Sequence, residues 1–282
     1  MNEIYEFRIP EDLAPQLFND LEGVRLGTSI RKVLVSTDDP RFERIGMIQH
    51  SMHETSNRSF FYGWKINREY DKQDLSSAQL FQLKINKVFE PAGEECGTEY
   101  NEGTACPFCG TGADQVSPLF LPEKRIPKRV DVSETIAGEI VVSRRLASIL
   151  RSIGLADNIK PIFPCLSANS HLQDWYQFIP PNNYLSICIP TVIGIDPFNL
   201  DPLGHYRCKC NNLLGLNLLS EVWVKRSPTY TDEIGLMSSV QFTGVRRGLL
   251  RPERVLFLWP NTRNKLISEN VKGFTSDVAH YA

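Results

Sequence analysis

Two short cysteine pairs carry the clearest chemistry in this sequence. The first is Cys106-Pro-Phe-Cys109, which Gly110 follows, and the second is Cys208-Lys-Cys210. A two-residue gap between cysteines lets a small turn aim two thiolates at one point, and the glycine permits the left-handed backbone that such a turn often needs. Two such turns together supply the tetrahedral four-sulfur site that zinc prefers. The spacing therefore predicts one structural zinc ion held by these four cysteines.

The second pair leaves alternatives open for the third and fourth ligands. Its cysteines are separated by a single residue, which is a less usual gap, and Asn211 stands where the first pair has glycine. Cys96 and His205 each lie within a short loop of a predicted ligand, so either can replace one member of the second pair. Two other interpretations are reduced thiols in the core and a redox dithiol. A redox pair normally opens a helix, and the glycines after the first pair are poor helix formers.

The predicted zinc site argues against catalysis. Four thiolates leave no coordination position for a water molecule, so the ion would stabilise the fold without activating a nucleophile. His50 and His53 with Glu54 match neither His-Glu-x-x-His nor its inverted form, and we predict a polar surface there. Nothing in the sequence orients Cys165 toward His171 as a nucleophile and its base. We therefore predict a protein without catalytic residues.

The charge balance and the cysteine count bound the function further. The chain has 282 residues with 31 Lys and Arg against 33 Asp and Glu, a net charge of −2, which gives no general attraction to nucleic acid or anionic membranes. The basic clusters at residues 124–129, 225–226 and 246–247 fit a solvated surface. Seven cysteines are an odd number and argue against a complete disulfide framework. Of these, Cys165 and Cys188 have apolar neighbours, which predicts core positions.

The same composition favours the cytoplasm and a soluble protein. The acidic N-terminus has no charged-then-apolar export signal. No run approaches the ~18 apolar residues of a membrane helix. We therefore expect a cytoplasmic protein whose thiols stay reduced.

Residues 140–154 show the clearest local pattern for secondary structure. A short apolar run at 140–142 predicts a strand, and Ser143 is a good residue to cap the following helix. Apolar residues then recur at helical spacing, which predicts one buried helix face: Leu146, Ile149, Leu150 and Ile153. Gly154 ends the helix.

The remaining elements predict the fold class. Asp74 can cap a short helix that carries Leu75, Ala78 and Phe81, and residues 274–281 read as a last strand. Helices are few and strands are scattered among loops, which predicts an α+β fold with mixed and antiparallel sheets and an inserted zinc-ribbon-like knuckle pair. Residues 1–90 are expected to form an N-terminal lobe and residues 91–282 the zinc-containing region. One compact domain remains an alternative, because the metal would join the middle of the chain to its C-terminal third.

Several segments resemble the bacterial double-CXXCG motif proteins. Residues 89–98, Phe-Glu-Pro-Ala-Gly-Glu-Glu-Cys-Gly-Thr, lead into the first cysteine pair, and residues 244–252, Gly-Val-Arg-Arg-Gly-Leu-Leu-Arg-Pro, with 271–274 are similar as well. The pattern at 140–154 is similar to one in other toxin-immunity families. The resemblance spans roughly residues 80–282. The second cysteine pair departs from it, because it is not a Cys-x-x-Cys-Gly.

This resemblance implies a binding function. Some members of the family are immunity proteins, which neutralise toxins delivered between neighbouring cells. The chain is accordingly expected to be a non-enzymatic, zinc-stabilised protein that binds a cognate toxin by direct contact. The alternative is a zinc-knuckle protein that binds nucleic acid through the basic residues at 124–129, and such binding would weaken steeply with salt. A hydrolase that uses His50 and His53 is a third hypothesis.

Overall fold

A computed structural model describes residues 1–56, 58–167, 169–182, 184–226 and 235–282. The chain divides into two compact units. The first unit comprises Met1–Ser77 with Asp196–Asn199, and the second unit comprises Ala78–Ile195 with Leu200–Ala282. The division after residue 77 comes earlier than the boundary expected near residue 90, because the strand that follows pairs with strands near the C-terminus.

The first unit is a small sheet with helices. Its elements, in chain order, are β1 (Asn2–Pro10), β2 (Val24–Leu26), β3 (Ile30–Ser36), α1 (Pro40–Ser56), β4 (Gly63–Glu69) and α2 (Lys72–Ser77). The strands lie in the order β2-β3-β1-β4, and every pairing is antiparallel. Alternate residues of β1, such as Phe7 and Ile9, are fully buried and pack with Ile45 of α1. This alternation is typical of a strand with one face on the core.

The second unit contains most of the strands and two further helices. The strands are β5 (Leu80–Ile85), β6 (Val88–Phe89), β7 (Tyr100–Asn101), β8 (Asp114–Gln115), β9 (Leu119–Phe120), β10 (Val132–Thr135), β11 (Ile140–Ser143), β12 (Ile159–Phe163), β13 (Trp175–Phe178), β14 (Tyr184–Leu185), β15 (Ile187–Cys188), β16 (Ile193–Gly194), β17 (Leu213–Gly215), β18 (Asn217–Leu218), β19 (Val222–Val224), β20 (Leu236–Thr243), β21 (Glu253–Leu258) and β22 (Phe274–Tyr281). The helices are α3 (Arg144–Ser152) and α4 (Pro260–Ser268).

These strands build two larger sheets. One has the order β14-β20-β21-β5-β22-β19-β15, with β17 also paired to β20, and it mixes parallel and antiparallel neighbours. The other has the order β6-β10-β11-β13-β12-β9 and is antiparallel except at its two end strands. Two ribbons, β7-β8 and β16-β18, complete the unit. The predicted α+β class with mixed and antiparallel sheets is confirmed.

Local sequence signals predicted some elements well and others poorly. β11 leads into α3, Ser143 Oγ accepts a hydrogen bond from the Leu146 N–H at 3.2 Å, and the last strand spans Phe274–Tyr281 as expected. The helix expected to start at Asp74 is wrong: α2 contains Asp74 but ends at Ser77, and Phe81 lies in β5. Burial of Leu80 and Phe81 in the large sheet outweighs the local helical spacing.

A search of the described residues finds no helix with the length and apolar character required to cross a membrane.

Candidate metal centre

The first cysteine turn, residues 106–110, is closed by the main chain. The Gly110 N–H donates to the Cys106 carbonyl at 2.8 Å, and the Cys106 N–H donates to the Thr111 carbonyl at 2.8 Å. Gly110 has a φ of +71°, a left-handed conformation that glycine adopts without cost. The turn therefore places both of its sulfur atoms on the same side.

The second cysteine turn, residues 208–211, has the same design with one residue fewer. The Asn211 N–H donates to the Cys208 carbonyl at 3.0 Å, and the Cys208 N–H donates to the Leu213 carbonyl at 3.4 Å. Asn211 has a φ of +61°, and asparagine is one of the few residues other than glycine that visit this region. Asparagine thus replaces the glycine of the first turn in conformation as well as in sequence.

The two turns bring four sulfur atoms together. The ligand atoms of Cys106, Cys109, Cys208 and Cys210 all lie within 4.8 Å of one another, and we call this group the four-cysteine cluster. The Cys106 and Cys208 sulfurs are 3.7 Å apart, and those of Cys109 and Cys210 are 3.6 Å apart. Zinc–sulfur bonds of about 2.3 Å in a tetrahedron separate the sulfurs by about 3.8 Å. The cluster therefore has the dimensions that a tetrahedral metal ion requires.

The electrostatics of the cluster also suit a divalent cation. The N–H groups of Phe108 and Cys109 lower the pKa of the Cys106 thiol. The N–H of Cys210 favours the thiolate of Cys208, yet burial and the neighbouring thiols raise the pKa of Cys208 to about 12. Thiolates so close together repel one another, so they cannot all ionise without a compensating positive charge. A bound divalent cation supplies that charge.

A buried hydroxyl beside the cluster supports its sulfur atoms. Thr111 is 3% exposed, and its Oγ1 lies 3.2 Å from the Cys109 sulfur and 3.9 Å from the Cys210 sulfur. A thiolate only accepts hydrogen bonds, so the hydroxyl donates once the sulfur is ionised. The Asn212 N–H donates to the Cys210 sulfur at 3.4 Å. Such outer contacts orient metal ligands. Nothing in the sequence pointed to Thr111 except its position directly after the turn.

The alternative ligands Cys96 and His205 lie outside the four-cysteine cluster. Cys96 is buried on a one-turn helix, and burial together with the Cys165 thiol raises its pKa to about 12. His205 is exposed in the loop before the second turn, where its N–H donates to Asp201 Oδ1 at 2.7 Å. Neither side chain is among the grouped sulfur ligands.

The other cysteines and histidines do not form a second cluster in the part of the chain that the structure describes. The core positions expected for Cys165 and Cys188 are wrong: Cys165 is exposed and Cys188 is half-buried. Cys165 lies in a turn where the chain reverses, so its apolar neighbours do not mark a core. His50 pairs with Glu54 at 3.1 Å on the exposed side of α1, and the His53 ring contacts Gln49.

The loop between β20 and β21, residues 244–252, packs against the outside of the first cysteine turn, and we call it the arginine loop. Its Arg246 packs against Gly110, where an added Cβ would lie 2.8 Å from Arg246 Cγ. Arg246 Nη2 lies 3.1 Å from Glu102 Oε1, and Arg251 Nη2 lies 3.0 Å from Glu94 Oε1. The basic cluster at residues 246–247 was expected on a solvated surface, but Arg246 is engaged in ion pairs and packing. Glu94 and Arg251 thus belong to one ion-pair network with the Arg246 that packs on the cysteine turn.

The arginine loop also contains a largely buried charge. The Arg251 side chain is 8% exposed, and its guanidinium lies 3.9 Å from the centre of the Tyr100 ring. Burial lowers the pKa of Arg251, but Glu102 and Glu94 raise it more, so it lies above its ordinary value. The guanidinium therefore stays charged and fixes both carboxylates beside the cluster.

Comparison with known proteins finds no match among family models, curated proteins or solved structures.

Proposed function

We propose that this chain is a zinc-stabilised, non-enzymatic protein that neutralises a cognate toxin by binding it, as immunity proteins do. The observation that carries the proposal is the convergence of four cysteine sulfurs within 4.8 Å. Zinc is the metal that such a four-sulfur set favours. Its role here is to hold together turns that lie 102 and 101 residues apart in sequence.

A closed coordination sphere supports binding over catalysis. With four thiolates, zinc has no free position at which to activate water. Phe108, between the two cysteines of the first turn, is 85% exposed. A large exposed aromatic residue on a rigid turn is a favourable anchor for a protein partner, since aromatic side chains are enriched at binding hot spots. The resemblance to double-CXXCG proteins supports the choice of a toxin as that partner.

Metal analysis tests the zinc component. Protein purified under reducing conditions without added zinc is expected to contain about one zinc ion per chain. The Cys106→Ser/Cys109→Ser variant is expected to lose it and to melt at a lower temperature. Cys165→Ser is the matched control, because Cys165 is an exposed cysteine outside the cluster. A folded wild type without metal would refute the zinc assignment.

Co-expression tests the binding component. The chain is expected to protect cells against a toxin whose gene lies beside its own, and to bind that toxin directly in a titration of the two purified proteins. Phe108→Ser is expected to weaken the binding while zinc content stays at the wild-type value, because the side chain is exposed. Absence of protection and of binding for every neighbouring toxin would contradict the proposed function.

A further inference from the structure

A positively charged groove lies in the second unit, apart from the four-cysteine cluster. It is open and has a volume of about 910 Å³. Five cations line it, and we call it the basic groove: Lys87, Lys124, Arg125, Lys128 and Arg129. Glu90 is the acidic residue among its lining. The groove therefore concentrates positive charge on a chain whose net charge is −2.

The cations of the basic groove are accessible to a ligand. All five are exposed, and within the described ranges none forms an ion pair or a side-chain hydrogen bond. Two other arginines of the second unit are engaged in ion pairs: Arg145 pairs with Asp131 at 2.5 Å, and Arg251 pairs with Glu94. Because Asp131 is already paired, it does not neutralise Lys128 or Arg129, which also line the neighbouring hollow. Uncompensated like charges in one concave place attract an anionic partner.

The groove also borders an open sheet edge. β6 is an end strand of its sheet, and Val88 lines the groove with 50% exposure. The carbonyls of Lys87 and Phe89 accept from the N–H groups of β10 and the residue after it, at 3.0 and 3.2 Å. Since backbone groups alternate sides along a strand, the N–H and C=O of Val88 point away from β10. An extended peptide can pair with such an edge.

We propose that the basic groove binds an extended acidic segment of the protein partner. The segment would pair its main chain with Val88 and place its carboxylates against the lysines and arginines of the groove. This inference rests on the proposed function, because it requires the partner to be a protein. It adds to that function the chemistry of the segment recognised, which is a run of Asp and Glu residues in a strand conformation.

The lining of the groove favours a peptide over nucleic acid. Single-stranded nucleic acids gain affinity by stacking their bases on exposed aromatic side chains. Phe89 is the aromatic residue among the described lining residues, and it is only 9% exposed. The outward N–H and C=O of Val88 match a peptide main chain, which nucleic acids do not have. Phosphates could still contact the cations, so nucleic acid is an arm of the test.

The test compares three labelled ligands with the full chain by fluorescence anisotropy. They are a poly-glutamate peptide, a poly-glutamine peptide of the same length and a single-stranded oligonucleotide of the same charge as poly-glutamate. Wild-type protein is expected to bind poly-glutamate most tightly, with affinity falling as salt rises. Lys124→Glu/Lys128→Glu is expected to weaken this binding about tenfold or more, a loss of about 1.4 kcal/mol.

Two further variants separate charge from strand pairing. Val88→Pro removes the outward N–H, which an edge strand tolerates, and is expected to weaken poly-glutamate binding while it leaves contacts of an oligonucleotide with the cations unchanged. Lys160→Glu/Lys225→Glu is the charge-matched control, since both lysines are exposed in the same unit and lie outside the groove. Circular dichroism and zinc content would show that each variant is folded.

Several results would overturn the inference. They are poly-glutamate binding no tighter than poly-glutamine, oligonucleotide binding tighter than poly-glutamate, equal losses in the control variant, or binding that Val88→Pro leaves intact. Failure here is distinguishable from failure of the proposed function. If a groove variant keeps its zinc and still binds and neutralises the toxin, the proposed recognition of an acidic segment is rejected and the proposed immunity function is retained.

Discussion

At the scale of single residues, the two cysteine turns depend on left-handed backbone. Gly110 and Asn211 both have positive φ, at +71° and +61°, directly after the last cysteine of each turn. In the sequence, Gly110 matches the Cys-x-x-Cys-Gly motif, whereas Asn211 is recognised only as a departure from that motif. Their common conformation explains why a turn that departs from Cys-x-x-Cys-Gly still converges on the same point.

A glycine substitution tests how closely the arginine loop packs on the first turn. Gly110→Ala is expected to cost more than Gly154→Ala. Both glycines have positive φ, but a Cβ at 110 would lie 2.8 Å from Arg246 Cγ, whereas a Cβ at 154 meets nothing within 4 Å. Strain alone costs about 1–2 kcal/mol, so the excess at 110 measures the contact. Urea unfolding of both variants checks this, and equal costs would contradict it.

Thr111→Val tests the hydrogen bond to the cluster. The substitution keeps the shape of a buried side chain and removes the hydroxyl that lies 3.2 Å from the Cys109 sulfur. Loss of such an outer contact lowers metal affinity by about 10–100-fold, so zinc should pass to a competing chelator more readily. Thr262→Val, at a similarly buried threonine of α4, serves as control and should retain wild-type zinc affinity.

Glu134 gives stability a pH dependence. Burial, and then the charge of Glu253, raise its pKa from 4.5 to about 8. The folded chain therefore keeps a proton that the unfolded chain releases, so this stabilising contribution is complete below pH 4.5 and is lost as pH rises through 8.

Glu134→Gln should accordingly be more stable than wild type above pH 8. We expect a gain on the order of 1 kcal/mol, because the half-buried side chain keeps some contact with water. The two proteins should differ little at pH 4, and thermal melting across this range gives the comparison. Glu123→Gln, at an exposed position, should not change the profile. A wild-type stability that rises between pH 5 and 9 would argue against this assignment.

At the scale of elements, β11 and α3 form the best predicted part of the chain. Ser143 caps α3 by accepting from the Leu146 N–H, and its hydroxyl also donates to Asp131 Oδ1 at 2.9 Å. The sequence shows the cap because it involves residues only three apart. The second hydrogen bond, to a residue before β10, becomes visible only in the folded chain.

Ser143→Ala is expected to destabilise the protein by about 1–2 kcal/mol, as loss of a helix cap does. Ser148→Ala is the matched control in the same helix. Its hydroxyl is exposed and bonds to the Arg144 carbonyl within the helix at 3.1 Å, and alanine favours helix, so stability should change by a few tenths of a kcal/mol. Guanidinium unfolding distinguishes the two, and similar losses would show that the cap contributes little.

At the scale of the whole molecule, the four-cysteine cluster would cross-link distant parts of the second unit once it binds a metal ion. Its cysteine pairs are 102 and 101 residues apart. Closing a loop of about 100 residues stabilises a fold by about 4–5 kcal/mol in the chain-entropy account. Metal removal should therefore affect this unit strongly, because all four cysteines belong to it.

Hydrogen exchange with and without a chelator tests this expectation. Amides of the second unit, above all those near the two cysteine turns, should lose protection when the metal is removed, while amides of β1 and β3 should keep theirs. The Cys106→Ser/Cys109→Ser variant should show the same pattern and should not respond to the chelator. Loss of protection that is uniform over both units would contradict a cross-link confined to the second.

The sequence alone predicted the capped helix α3, the last strand and the α+β class, and it singled out the four cysteines that the structure groups. These depend on residue type and short spacing, which act between near neighbours in the chain. The sequence failed for the helix expected beyond Asp74, because packing of Leu80 and Phe81 in the large sheet outweighs local preference. It also failed for the burial of Cys165, because this residue lies in an exposed turn. Tertiary structure decided how Arg246 and Arg251 reach Glu102, from 144 and 149 residues away. It also placed the cations of the basic groove, from residue 87 and residues 124–129, on one concave surface. Contacts between residues so far apart in the chain depend on many weak interactions, which short sequence patterns do not predict.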